Sequence, residues 1–302
     1  MLAALGAALA LGACGAGSSH GAGSSGAGVT AGNDAGRIVA ASADATSAAR
    51  SAHMSMTIDM SEQGYSGVVK ADGAFDFAHR TGALTMDMTS MGIPGIRGAI
   101  ELRIVDGVIY MNMGALLGST PEARQLFGDK PWIKLDLTKA GAAGAGGAGG
   151  FGGLGTSDPT STLDALRGTG SDVRVVGHDE VRGADTTHYH GTIDLARALD
   201  KVPPAQRDNA ARAMRTLGTG SVPADIWIDA QGRLRKLTMT LDATTQGTHV
   251  GAVTMELYDF GTPVDVQAPP ADQVTDFGSM LGGVTGGMLG GNGASNANGV
   301  SS

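Results

Sequence analysis

Cys14 is the only cysteine among 302 residues, and residues 2–13 before it are all Leu, Ala or Gly. A thiolate is a good nucleophile and an efficient point of covalent attachment. With no second cysteine it cannot close a disulfide within the chain. An apolar run of this length, closing in small residues, is what a signal peptidase accommodates. Cys14 therefore stands just past the small-residue end of a signal-peptide-like run. No Lys or Arg precedes the run, a departure from the basic start such leaders usually carry.

Imidazoles come next. His188 and His190 stand two apart in an alternating segment, with His178 upstream, so the first two share one face of a strand. Paired histidines can hold a metal when further ligands complete the shell. No third ligand at suitable spacing and no paired cysteine accompanies them, so hydrogen-bonded or solvent-facing histidines are expected and no metal. No serine sits in a Gly-x-Ser-x-Gly elbow between strand and helix. The Gly-rich runs have no following lysine for a phosphate. Asp229 and Gly232 read as a hairpin turn rather than an acid/base pair. The chain is not expected to be an enzyme or to need a cofactor.

The elements that would position these residues are mostly strands. Met54, Met56, Ile58 and Met60 alternate with polar residues, as do Leu84, Met86 and Met88. Ile100, Leu102 and Ile104 lead through Asp106-Gly107 to Ile109, Met111 and Met113. Asp-Gly between alternating runs predicts a hairpin, because both residues tolerate positive φ. Further alternation covers Ile133–Leu137, Val173–Val175, Thr187–Leu195, Ile226–Ile228, Leu237–Leu241 and Val253–Leu257. Each reads as a half-buried antiparallel strand. Helices are predicted over Ile38–Ala52, from Asp158-Pro159 to Arg167, and over Leu195–Leu217 with a break at Pro203-Pro204. The two halves look alike, each a helix followed by strand pairs. The fold class is α+β, with a large meandering antiparallel sheet.

Composition sets the borders. Residues 1–13 read as a signal peptide and 14–35 as a flexible Gly/Ser tether. Residues 36–277 suffice for one domain with a buried core. A Gly-rich insertion at 141–155 interrupts it, and 278–302 form a Gly-rich tail read as disordered. The net charge of −8 argues against nucleic acid, which demands a basic patch. Arg233, Arg235 and Lys236 form the densest basic group. They are expected on a solvated strand face, with anionic lipid head groups as the other reading.

Leu11-Gly12-Ala13-Cys14 resembles the lipobox of bacterial lipoproteins. The resemblance implies a diacylglyceryl group on the Cys14 sulfur, cleavage before Cys14 and acylation of the new amine. Three further segments, Val181–Leu195, Pro223–Leu234 and Tyr258–Val274, together with the lipobox resemble actinobacterial lipoproteins of the LppX/LprG type. That resemblance spans about residues 36–277. It implies a strongly curved antiparallel sheet forming an unclosed half-barrel with helices on the concave side, similar to the LolA/LolB and RseB folds. It implies lipid or lipoglycan as partner, carried outward from the cell membrane, with the protein anchored on the outer face of that membrane. An RseB-like sensor that binds a membrane protein on the same fold is the alternative, and an unrecognised hydrolase the third reading. The Gly-rich insertion departs from the family pattern.

The methionines meet that inference. Stiff strand cores favour Val and Ile, whereas methionine is flexible and adapts to varied partners. The candidate lining of an acyl-chain cavity is Met54, Met56, Ile58, Met86, Met88, Leu102, Ile104, Met111, Met113, Met239 and Met255. Limited proteolysis should leave a core close to residues 36–277, with nicking allowed near 141–155. Two separately stable fragments would contradict one domain.

Overall fold

The computed structural model describes residues 27–62, 65–87, 89–91, 98–114, 130–136, 159–169, 172–194, 220–245 and 248–276. Cys14, Met88, Leu137, the 141–155 insertion, the Leu195–Leu217 helix and the tail after 277 lie outside them, as does the side chain of Met60.

Strands β1 (Ser51–Glu62), β2 (Tyr65–Asp76), β3 (Thr81–Asp87), β4 (Ala99–Val105), β5 (Val108–Asn112) and β6 (Trp132–Asp136) come first. They are followed by β7 (Arg174–Val181), β8 (Ala184–Asp194), β9 (Ser221–Asp229), β10 (Leu234–Thr245), β11 (Thr248–Tyr258) and β12 (Val274–Asp276). Helix α1 spans Ala27–Ala48 and α2 spans Pro159–Leu166. All the strands join one sheet in the order β12-β6-β5-β4-β3-β2-β1-β11-β10-β9-β8-β7. Pairing is antiparallel except where β12 lies parallel to β6. The sheet is curved and open, since its edges β12 and β7 do not meet. Each half is a meander of the same sense preceded by a helix, and the halves join where β1 pairs β11.

Alternation puts one set of side chains inward. Ala52, Met54, Met56 and Ile58 of β1, Val222, Ala224, Ile226 and Ile228 of β9, and Val253, Met255 and Leu257 of β11 are all buried. The helices cover this apolar face. α1 packs across β7, β9 and β10 and against α2, and α2 packs on β8. Val39, Ala43 and Thr46 of α1 are fully buried, and Thr46 Oγ1 accepts the Leu234 N–H at 2.8 Å. Among the described residues, no helix is long and apolar enough to cross a membrane.

The predicted Asp106-Gly107 hairpin is present, with φ of 52° and 76°. Arg182-Gly183 makes an equivalent turn between β7 and β8, with φ of 49° and 78°. The helix expected over Ile38–Ala52 is displaced: α1 begins at Ala27, inside the stretch read as tether, and stops at Ala48. Once the turns from Asp34 onward are packed, each further helical residue adds a hydrogen bond at little cost. At the other end Arg50 turns left-handed, φ 70°, and Ala52 enters the sheet opposite Phe75. β2 is absent from the predicted strands because its inward residues Val69, Ala71, Gly73 and Phe75 include two with little apolar signal. Gly73 is required by the packing, since a Cβ there would collide with the Ala83 carbonyl oxygen.

Arg233 and Arg235 do not form the expected solvated face. Both pair with Asp229, whose side chain is 2% exposed, and Nε–Oδ2 distances are 2.9 and 2.8 Å. The guanidiniums lie over the Phe260 ring at 4.5 and 4.9 Å. The Asp229 Oδ1 accepts the Gln231 and Arg233 amides at 3.0 and 2.9 Å, closing the β9–β10 turn. Burial alone would raise the Asp229 carboxyl, but the Arg233 amide and the two guanidiniums outweigh it and hold it below the ordinary value. A depressed native pKa gives stability that is present above the unfolded value and is lost as pH falls through the native one. Asp229→Asn should therefore cost about 3 kcal/mol at pH 7, because it leaves paired guanidiniums unbalanced. In urea denaturation at pH 7 and pH 3 the gap between parent and variant should narrow in acid. A gap that is absent at pH 7, or unchanged by acid, would contradict this role.

Candidate functional site

Strand register aligns the inward residues into rows across the sheet. One row runs Ile100, Met86, Ala71, Met56, Met255, Leu237, Ile226, Tyr189 and Val175 from β4 to β7. Beside it lie Met111, Leu102, Leu84, Gly73, Met54 and Leu257. Ile58, Val253 and Met239 begin a third row on the other side, and Ile104 pairs Ile109 one row further out. Nine of the residues proposed from sequence thus belong to, or pack against, one apolar cluster: Met54, Met56, Ile58, Met86, Leu102, Ile104, Met111, Met239 and Met255. Met113 is half-buried just beyond β5.

Burial is not uniform along the rows. Met54, Met56, Met255 and Met239 are 1%, 2%, 3% and 4% exposed, so their surface is already spent on packing. Met86, Ile100, Met111 and Leu135 on β3–β6 are only half-buried. The helices α1 and α2 make their main contacts on β7–β10, at the opposite side of the sheet. Among the described residues the inward side of β3–β6 alternates half-buried with buried side chains, Leu84, Leu102, Ile104 and Ile109 being 3–5% exposed, while Val175 at the β7 end of the row is 54% exposed. Ile100 and Leu135 were missing from the proposed lining although their parity marked them.

The outward face carries the polar groups. His188 Nε2 and His190 Nδ1 lie 2.9 and 3.0 Å from the same Asp225 oxygen. The other nitrogen of His188 faces Asp179 at 3.3 Å, and its ring stacks on Trp227 at 4.2 Å. Trp227 Nε1 donates to Asp179 at 2.8 Å, and Lys236 Nζ lies 4.7 Å from the ring centre. Burial pushes the Asp225 carboxyl up, but hydrogen bonds from His190 and His188 prevail and hold it below the usual value. The two histidines do share a face, as their spacing indicates. Their common partner comes from β9, a neighbour that local spacing does not reveal. Among the described residues no three His, Cys, Asp or Glu groups are arranged to hold a metal ion. An open depression of about 460 Å³ beside the β7–β8 hairpin is lined by His178, Asp179, Glu180, Asp185, Thr186 and Thr187, with Ile228 and Ala230.

Residues 157–266, from just before α2 to just after β11, match the model of the LppX_LprAFG lipoprotein family. An uncharacterised 31.2 kDa protein of Streptomyces griseus, from the rplA–rplJ intergenic region, is 31% identical over 234 residues, 72% of each chain. Among solved structures, LprF of Mycobacterium bovis has 19% identity and a TM-score of 0.45 over 79% of this chain and 98% of its own. Lipoprotein LppX of Mycobacterium tuberculosis has 14% identity and a TM-score of 0.45 over 78% and 99%. With the family match falling on α2 and β7–β11, and a relative of 31% identity covering 72% of the chain, the protein belongs to the LppX_LprAFG lipoprotein family.

Proposed function

We propose that this lipoprotein binds the acyl chains of a lipid or lipoglycan against the β3–β6 part of its inward face, and carries them outward from the cell membrane. The observation that supports this most is that Met86 and Met111 are half-buried, beside the packed Leu84, Leu102, Ile104 and Ile109, whereas Met54, Met56, Met239 and Met255 are at most 4% exposed. A fifteen-methylene chain gains about 12 kcal/mol gross on leaving water, at roughly 0.8 kcal/mol per methylene. The relevant donor is a bilayer, where that chain is already buried, and ordering it on the protein has its own cost. Net transfer then lies near zero, which suits a carrier that must also release. Methionine suits the task because its thioether stem re-packs around chains of differing length and unsaturation.

On this reading the domain is held at the outer face of the cell membrane through Cys14. Two or more acyl chains give stable residence where one gives only marginal binding. Among the described residues the inward rows are apolar apart from Tyr189, whose phenol burial pushes up.

Organic extracts of the purified protein should contain acyl lipid near one equivalent by mass spectrometry. Met86→Trp and Met111→Trp add bulk on the open part of the wall and should cut occupancy about tenfold while leaving the thermal midpoint within a few degrees. Folded variants with full occupancy, or a parent that never carries lipid, would overturn the assignment. Separately, Cys14→Ser should move the protein from the membrane to the soluble or unprocessed fraction in a host with lipoprotein processing. Equal partitioning of parent and variant would remove the anchor.

A further inference from the structure

We propose that the β7 edge of the sheet is a self-association surface, where a second copy of this chain adds its own β7 antiparallel across a two-fold axis. The two edges are treated differently. The β6 edge is capped by β12, which the chain brings back across the sheet through Gly261 N–H to Ser51 O at 2.8 Å and Arg103 Nη1 to Gln267 O at 3.2 Å. Among the described residues, β7 pairs only with β8. An unpaired strand edge is a template for another strand unless charge, proline or a cover blocks it. β7 has no proline, and its formal charges stand toward its ends, Arg174 at one and Asp179 and Glu180 at the other. Instead it carries Val175 and Val176, 54% and 53% exposed, and the third exposed large apolar residue, Ile38 at 46%, lies on α1, which packs against β7. The exposed large apolar side chains of the described residues are thus confined to two touching elements.

Charge on β7 selects a second copy as the occupant. The strand has a cation at one end, Arg174, and anions at the other, Asp179 and Glu180. Val175 pairs Tyr189 and Gly177 pairs His188, so the bulge leaves Val176 without a partner on β8. Counting past the bulge, Arg174 and Asp179 share the outward face with Gly177, while Val175 and His178 share the inward one. An antiparallel pair centred on Gly177 then sets Val175 opposite His178 and Arg174 opposite Asp179 of the other copy, twice by symmetry. Such an interface is isologous and closes at two. A strand of uniform charge could not pair with itself this way. Asp179 has its Oδ2 engaged by Trp227 and His188, and its other oxygen is left for the arginine.

The register gives a direct test on the full chain carrying Cys14→Ser, so that no native thiol interferes. A Cβ built at Gly177 meets nothing within 4 Å, so Gly177→Cys is tolerated. Across the two-fold its Cα atoms would stand about 5 Å apart, inside the disulfide range of about 4.4–6.8 Å. Mild oxidation should convert it to a covalent dimer, whereas Arg174→Cys, which faces Asp179 rather than itself, should stay monomeric. By sedimentation the Cys14→Ser parent should dimerise with concentration. Arg174→Asp should weaken the dimer about tenfold, the scale of two exposed ion pairs, and Val176→Lys should abolish it. Far-ultraviolet circular dichroism checks that each variant folds. A parent monomeric to about 0.5 mM, the weak limit of a specific contact, would overturn the proposal. So would a dimer indifferent to Arg174→Asp, or equal cross-linking at both positions.

Discussion

The pairing of β1 with β11 holds the molecule together. Met54 faces Leu257, Met56 faces Met255 and Ile58 faces Val253, residues some two hundred positions apart in the chain. Each half is a meander whose own contacts are local, and only this seam makes one sheet of them. Closing so long a loop is costly in chain entropy, and the compensation is apolar: every residue of those three pairs is at least 95% buried. The strand order on either side follows from the seam, because each later strand has only one free edge to join. Contacts this distant in sequence make a slow-folding topology.

The same seam explains why the methionine wall is not equivalent along its length. At the centre the inward side chains meet β1, β10, β11 and the helices beyond, and they are fully packed. Toward β4 and β5 the rows continue in register while the cover from α1 and α2 does not follow. Met86, Ile100 and Met111 there pack against the core yet keep part of their apolar area exposed, and exposed apolar area is costly in water. The outward face is organised by other means. A buried carboxylate gathers two arginines at the β9–β10 turn, and a second carboxylate gathers two histidines from β8. Neither group reaches the inward rows.

Much of this architecture is legible in the sequence because alternation is a local signal. Met54, Met56 and Ile58 announce their face, and Asp106-Gly107 announces its turn. Arg182-Gly183 makes the same turn without the announcement, since arginine adopts positive φ only where the strands on both sides enforce it. β2 is hidden because close approach of β3 demands Gly73, which removes the apolar residue that alternation needs. The start of α1 is hidden because glycines at 28 and 32 read as tether. Arg233 and Arg235 are half-buried against Asp229, their neighbour across the turn, and against Phe260 from beyond β11, the partner that local spacing does not supply. The proposed Cys14 anchor and lipid function rest on resemblance and composition, because neither a processing site nor an adaptable wall has a geometry of its own to read.

The central claim is that the open β3–β5 end of the methionine rows, not the packed seam, receives the acyl chain. Methyl-labelled methionine spectra of the lipid-free domain, titrated with a phospholipid carrying palmitoyl chains, report each site separately. The account predicts shifts at Met86, Met111 and Met113, with Met54, Met56, Met239 and Met255 unmoved. Shifts confined to the seam methionines, or no shift at saturating lipid, would contradict it.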